Sequence, residues 1–210
     1  MILCWTIYKI PNPEEDVQRV SNQISKVLVM PGTALVLSTT YVASSAIYIS
    51  YTYLAPILKL HGIGSQVGFS LLLFGAGAVA GILVTGKFID QYLRKTLLVS
   101  MILGAISLLI IGVAGDFTLI IYISIVIWGY SFGGLPSLLQ TATIRTTMGA
   151  YELGSSMTVT VYNIGVFSGG IIGGLIVDSA GPYQLTWVSF SMITMVIVLI
   201  ILGKSDAFPK

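Results

Sequence analysis

A chain of 210 residues with 9% charged and 55% hydrophobic positions does not read as a water-soluble domain, because soluble domains average about 25% charge and this length offers too little interior for so much apolar surface. Lipid is the solvent such a composition requires. A net charge of +2 with no basic patch gives no reason to expect a nucleic-acid partner, and the single cysteine, Cys4, excludes an internal disulfide.

Met1–Tyr8 is apolar but too short to span, and it lacks the basic flank and small-residue cleavage site of a secretory signal. It reads as the tail of a preceding transmembrane helix, residues 1–9. Residues 10–30 read as a cytoplasmic linker. Within it, 10–26 is the one extended hydrophilic stretch. Pro11 and Pro13 break structure there, and Glu14, Glu15 and Asp16 suit a helix N-terminus. A short surface helix and a plain flexible linker both fit.

The charges then cut the chain into uncharged runs at 27–58, 60–86, 96–115, 117–144, 153–177 and 179–203. A spanning helix needs roughly 20 apolar residues, so each run holds one span. The expected cores lie near 34–57, 67–87, 97–115, 118–139, 157–177 and 184–203, inside a bundle over 31–204, with 205–210 as a cytoplasmic tail. Runs such as Val196–Ile201 do not alternate, which argues for helices over barrel strands. With the segment before the first span inside, Lys9, Arg19, Lys26, Lys87, Arg94, Lys95, Arg145, Lys204 and Lys210 are cytoplasmic and only Lys59 is outside. The positive-inside rule therefore puts both ends in the cytoplasm.

Gly77, Gly81, Gly86 and Asp90 in the second span recur 88 residues later as Gly165, Gly169, Gly174 and Asp178 in the fifth. Such an echo suggests repeated helix bundles. Gly77, Gly81, Gly165, Gly169 and Gly173 suit close helix packing, since small residues at four-residue spacing let backbones meet.

Candidates for lining a cavity come from polar and aromatic stripes. Tyr41, Ser45, Tyr48 and Thr52 share one face of the first span, and that face is expected to look into the bundle or a water-filled cavity. Trp128 and Ser131 in the fourth span are further candidates. Asn163 in the fifth could bond another helix or contact substrate. Tyr51 and Tyr53 read as interfacial belt residues, Gln140 as interfacial and His61 as a solvated loop residue. No catalytic, cofactor or metal site is expected: the chain has one His, one Cys and no acid at the centre of a span.

The loop after the second span reads Gly86-Lys87-Phe88-Ile89-Asp90-Gln91-Tyr92-Leu93-Arg94-Lys95. It resembles the short cytoplasmic loop motif of the major facilitator superfamily, although Gln91 stands where a basic residue is common and Leu93 where Gly is common. Thr52-Tyr53-Leu54-Ala55-Pro56, Trp128-Gly129, Gly133-Gly134-Leu135-Pro136 with Gln140, and Tyr162-Asn163-Ile164-Gly165 extend the likeness to the second half of drug:proton antiporter-type members. These include bacterial sugar, arabinose and purine-nucleoside efflux proteins.

The resemblance implies an all-α membrane protein. Its six transmembrane helices would form one half of that fold, built as 3+3 inverted repeats, in a bacterial inner membrane. Gly86, Asp90, Arg94 and Lys95 would form a conformational latch. Function would be alternating access with export of a small organic molecule against protons; the partner would be a missing N-terminal half, where the coupling acids would lie, or a second copy of the chain in a homodimer. No G-x-x-x-x-G-K-[ST] loop is present to bind nucleotide. The alternative is a non-transporting remnant, or a partner subunit that associates with another transporter half.

Overall fold

The computed structural model describes residues 24–115, 117–147 and 149–208, the side chains of 204–206 excepted. The expectations for residues 1–23 lie outside this range. After a helical turn at 24–28, the elements are α1 (Thr33–Thr52), α2 (Leu54–Leu60), a 3-10 turn (Gly64–Gln66), α3 (Val67–Val113), α4 (Thr118–Gly133), α5 (Leu135–Thr146), α6 (Tyr151–Ala180) and α7 (Tyr183–Ala207). No strand occurs among the described residues.

Among the described residues five stretches are long and apolar enough to cross a membrane: Thr33–Thr52, Gly64–Val113, Thr118–Thr146, Tyr151–Ala180 and Tyr183–Gly203. The second has 50 residues. Straight, it would run about 75 Å, more than twice the roughly 30 Å hydrocarbon core. It is not straight, because Tyr92 leaves helical geometry at φ −134° and ψ 38°. Gly81 meets Tyr130 while Gly104 meets Ser131, the next residue on α4. An unbroken helix would hold those two glycines about 34 Å apart. The two arms of α3, 67–91 and 93–113, therefore fold back on each other and make two of six traversals.

Helix ends run beyond the expected cores wherever charge alone had marked a boundary. Lys87, Asp90, Arg94 and Lys95 all lie inside α3, because charged side chains are good helix formers and no Gly or Pro falls between 87 and 103. Proline sets the breaks instead. Pro56 cannot donate to the carbonyl of Thr52, and the first traversal breaks at Tyr53 into α1 and α2. Pro136 sits near the start of α5, where its missing N–H costs little, and the fourth traversal breaks at Gly134.

Two backbone seams organise the bundle. Along the first, Gly77 and Gly81 of α3 face Gly129 and Gly133 of α4. A Cβ at any of the four would land on a carbonyl oxygen of the opposing helix: Val126, Tyr130, Phe74 and Ala78 respectively. Along the second, Gly165, Gly169 and Gly173 of α6 lie against α1 and the residue after it. Cβ atoms there would strike Ser44 Oγ, the Ser45 carbonyl (2.7 Å) and the Tyr53 ring (2.6 Å).

The seams thus pair the second traversal with the fourth and the fifth with the first. Exchanging first with fourth and second with fifth maps one seam onto the other, which is the relation a 3+3 inverted repeat demands. The glycine echo accordingly has two shared members. Its later members differ: a Cβ at Gly86 would meet nothing within 4 Å, whereas one at Gly174 would lie 2.7 Å from the Tyr53 hydroxyl. Close helix approach is therefore not what Gly86 provides among the described residues. α7 closes the bundle through Ser50 Oγ, which lies 2.7 Å from Ser189 Oγ and donates to the Leu185 carbonyl at 3.2 Å.

A candidate substrate-facing surface and the contacts at the Tyr92 end

The seams use one face of each helix and leave others uncovered. On α6 the glycine face is buried against α1, while Thr160, Asn163, Ile164 and Phe167 are exposed. Beside that face lies a continuous aromatic cluster drawn from four traversals. Tyr48 stands edge-on to Tyr51 (5.8 Å between centroids), Phe132 (5.9 Å) and Tyr162 (6.4 Å). Tyr51 stacks parallel to Phe132 at 6.4 Å and lies 4.9 Å from Phe74. Trp128 packs edge-on to Phe74 at 5.2 Å and to Tyr51 at 6.4 Å. Each such pair contributes roughly 0.5–1.5 kcal/mol beyond burial. Counting residues from Val67 and Thr118, the first residues of α3 and α4, puts Phe74 and Trp128 about 10–15 Å deep, near the midplane of the bilayer.

The seven residues expected to line a cavity fall into three groups. Tyr41, Thr52 and Asn163 are exposed, and Tyr48 is half-buried within the ring cluster. Asn163 Nδ2 donates to the Val159 carbonyl of its own helix at 2.8 Å, and it bonds no neighbouring helix among the described residues. Ser45, Trp128 and Ser131 lie behind the surface, at 0%, 1% and 3% exposure. Ser45 is covered by the glycine face of α6. Ser131 Oγ donates to the Trp128 carbonyl at 2.8 Å and fills the space left by Gly104. The Trp128 Nε1–H and the Ser45 hydroxyl are buried without a partner among the described residues.

Tyr51 and Tyr53 are not belt residues. Tyr51 sits in the ring cluster, and the Tyr53 hydroxyl donates to the Gly170 carbonyl at 2.9 Å. Tyr162 and Phe132 were missed as surface residues. Their signal was their register: Tyr162 precedes Asn163 and faces the Tyr48 stripe, and Phe132 lies one turn after Trp128. Above the cluster, an apolar groove of about 700 Å³ runs between the 24–28 turn, α1 and α6, lined by Leu28, Leu37, Tyr41, Met157, Thr160 and Ile164 among others.

At the end of the bundle that carries Tyr92, arginines hold helix ends together. The Arg145 guanidinium of α5 donates to the carbonyls of Asp90 (2.8 Å) and Ile89 (3.4 Å), a favourable pairing of cation and helix C-terminus. Arg94 donates to the Ile201 carbonyl of α7 at 3.1 Å. Lys95 lies 5.4 Å from the Tyr92 ring centroid, and Asp90 and Gly86 are exposed. Arg145 therefore belongs to the loop-motif constellation, though it comes from a distant part of the sequence. At the opposite end His61 is more than a solvated loop residue, because its Nδ1 lies 2.6 Å from the Gly115 carbonyl. Gln140 likewise bridges two helices, its Nε2 donating to Ser155 Oγ at 2.6 Å.

An all-helical bundle that crosses the bilayer repeatedly, with sealed seams and an uncovered midplane face of rings and hydroxyls, defines a polytopic membrane protein built around an internal surface. The chain belongs to the Major Facilitator Superfamily, whose family match covers residues 29–209. It is 30% identical over 167 residues to the MFS-type transporter YfhI of Bacillus subtilis, covering 74% of this chain and 40% of that protein. It is 27% identical over 186 residues to the inner membrane transport protein YdhP of Escherichia coli K12, covering 88% and 48%. A probable sugar efflux transporter of Helicobacter pylori strain G27 shows 25% identity over 136 residues, covering 64% and 35%. The chain thus spans less than half the length of each of these relatives.

Proposed function

We propose that this chain is one half of a proton-coupled secondary transporter that exports small organic molecules from the bacterial cytoplasm. The observation that carries this reading is the aromatic surface: three traversals bring Tyr48, Tyr51, Phe132 and Tyr162 together near mid-membrane and leave them only half-buried. Substrate sites of secondary transporters lie near the midplane between two repeats that rock against each other. Here the opposing surface would come from a second six-helix half, either an N-terminal half or another copy of the chain. Ring faces and hydroxyls suit a small uncharged or polyhydroxyl molecule, and the name of the Helicobacter pylori relative agrees with a sugar-like cargo. No acid lies at the centre of a traversal, so proton coupling falls to an N-terminal half; a second copy of the chain would bring no such acid. Asp90 with Arg145, and Arg94 with Lys95, would steady the cytoplasmic ends between inward- and outward-open states.

The test is efflux from cells or vesicles containing the chain together with its opposing half. Tyr48→Ala and Tyr162→Ala should each lower flux about tenfold at equal membrane abundance, while Ile106→Ala on the far side of the bundle leaves it unchanged. Unaltered flux in both tyrosine variants would remove this surface from the transport path.

A further inference from the structure

We propose that the fold-back at Tyr92 forms a binding site for the headgroup of an anionic phospholipid. A cavity of about 290 Å³ opens there, lined by Gln91, Tyr92, Arg94, Lys95 and Leu98. Two adjacent cations share this lining. Lys95 is exposed, with its Nζ on the Tyr92 ring face. Arg94 gives Nη2 to the Ile201 carbonyl, and its Nε–H is buried without an acceptor among the described residues. Of five guanidinium donors, the structure shows one in use. The kink also starts the second arm of α3 at Leu93, so its first-turn amides and positive dipole end lie at the same place. Gln91 supplies a carboxamide. Asp90 is not part of the lining.

Position decides which anion the site takes. Tyr92 lies about 37 Å along the first arm from Val67, at the membrane boundary. From it runs a strip of exposed apolar side chains: Val99 (53%), Ile102 (43%) and Ile106 (44%) on α3, beside Val198, Ile201 and Leu202 on α7. A free anion has no use for this strip, whereas a phospholipid would seat its phosphate among Arg94, Lys95 and Gln91 and lay its acyl chains along it. Basic pockets between transmembrane helices on the cytoplasmic side are suited to acidic headgroups. Assignment to the cytoplasmic leaflet rests on the proposed orientation, but binding itself does not.

Native mass spectrometry of the detergent-solubilised full chain, titrated with palmitoyl-oleoyl-phosphatidylglycerol or the matching phosphatidylcholine, tests the site without reference to orientation. One phosphatidylglycerol should bind in preference to phosphatidylcholine. Its affinity should fall roughly tenfold in an Arg94→Gln/Lys95→Gln variant and stay unchanged in Lys59→Gln. Where the double variant fails to fold, Lys95→Gln alone and the salt sensitivity of the wild-type complex take its place. Equal binding of the two lipids, retention of phosphatidylglycerol in the variants, or displacement of the lipid by inorganic phosphate would each overturn the proposal.

Discussion

At the scale of single residues, glycine has two distinct jobs in this chain, and geometry separates them. A methyl group at Gly129 would fall on the Phe74 carbonyl, which is backbone and cannot rotate away. Gly129→Ala should therefore force α3 and α4 apart and destabilise the bundle by about 1–3 kcal/mol, the usual range for overpacking. At Gly75 a Cβ meets nothing within 4 Å, so Gly75→Ala should leave stability unchanged or raise it by up to about 1 kcal/mol through helix propensity. Unfolding of both variants in mixed detergent–dodecyl sulfate micelles reads the contrast. Equal stabilities would mean that the seam is looser than its carbonyl contacts require. Tyr53 shows the complementary strategy. Its ring and hydroxyl occupy the space above Gly173 and Gly174, and the hydroxyl finds the Gly170 carbonyl, so small residues on one helix accommodate an aromatic side chain from another.

At the scale of elements, charge decided topology in the sequence but not helix length. The spacing of Lys, Arg, Asp and Glu divides the sequence into six uncharged runs, since burying a charge in hydrocarbon is costly. Charge said little about where helices stop, because charged residues continue a helix readily once it leaves the lipid. Hence α6 begins at Tyr151 and α7 ends at Ala207, beyond their apolar cores. Tyr48 stood out as part of a helical stripe, and Asn163 as a lone carboxamide within an apolar span. Arg145 did not, because its partners are backbone carbonyls 55 and 56 residues away, and carbonyls leave no mark on sequence. That pairing is itself testable. Arg145→Gln removes a charged donor from the end of the first arm of α3, and hydrogen exchange at residues 86–92 should accelerate several-fold. Unchanged exchange there would show that the kink at Tyr92 holds the arm end without it.

For the whole molecule, the lopsided distribution of cations predicts one orientation. On a Cys4→Ser background, Lys59→Cys should react with a membrane-impermeant maleimide in intact cells. Lys87→Cys should react only after the membrane is opened. The reverse pattern would invert the bundle and move the Arg94–Lys95 pocket to the opposite leaflet. The surfaces of the bundle also differ in chemistry. The far side of α3 and the outer face of α7 are aliphatic, as lipid requires, whereas the midplane face carries phenols and a carboxamide that lipid would not reward.

The carbonyl-on-glycine seams constrain how such a body can change shape. Where Phe74, Ala78, Val126 and Tyr130 press their backbones against opposing glycines, there is no layer of side chains to act as a lubricant. The two helices cannot creep past each other by changing rotamers, in the manner of shear motions. They are in effect spliced into one girder, and α1 with α6 into a second. Any displacement that reaches the aromatic surface must then arrive whole, carried by the girders together, or be confined to the proline-marked breaks at Tyr53 and Gly134, where the helices are already interrupted.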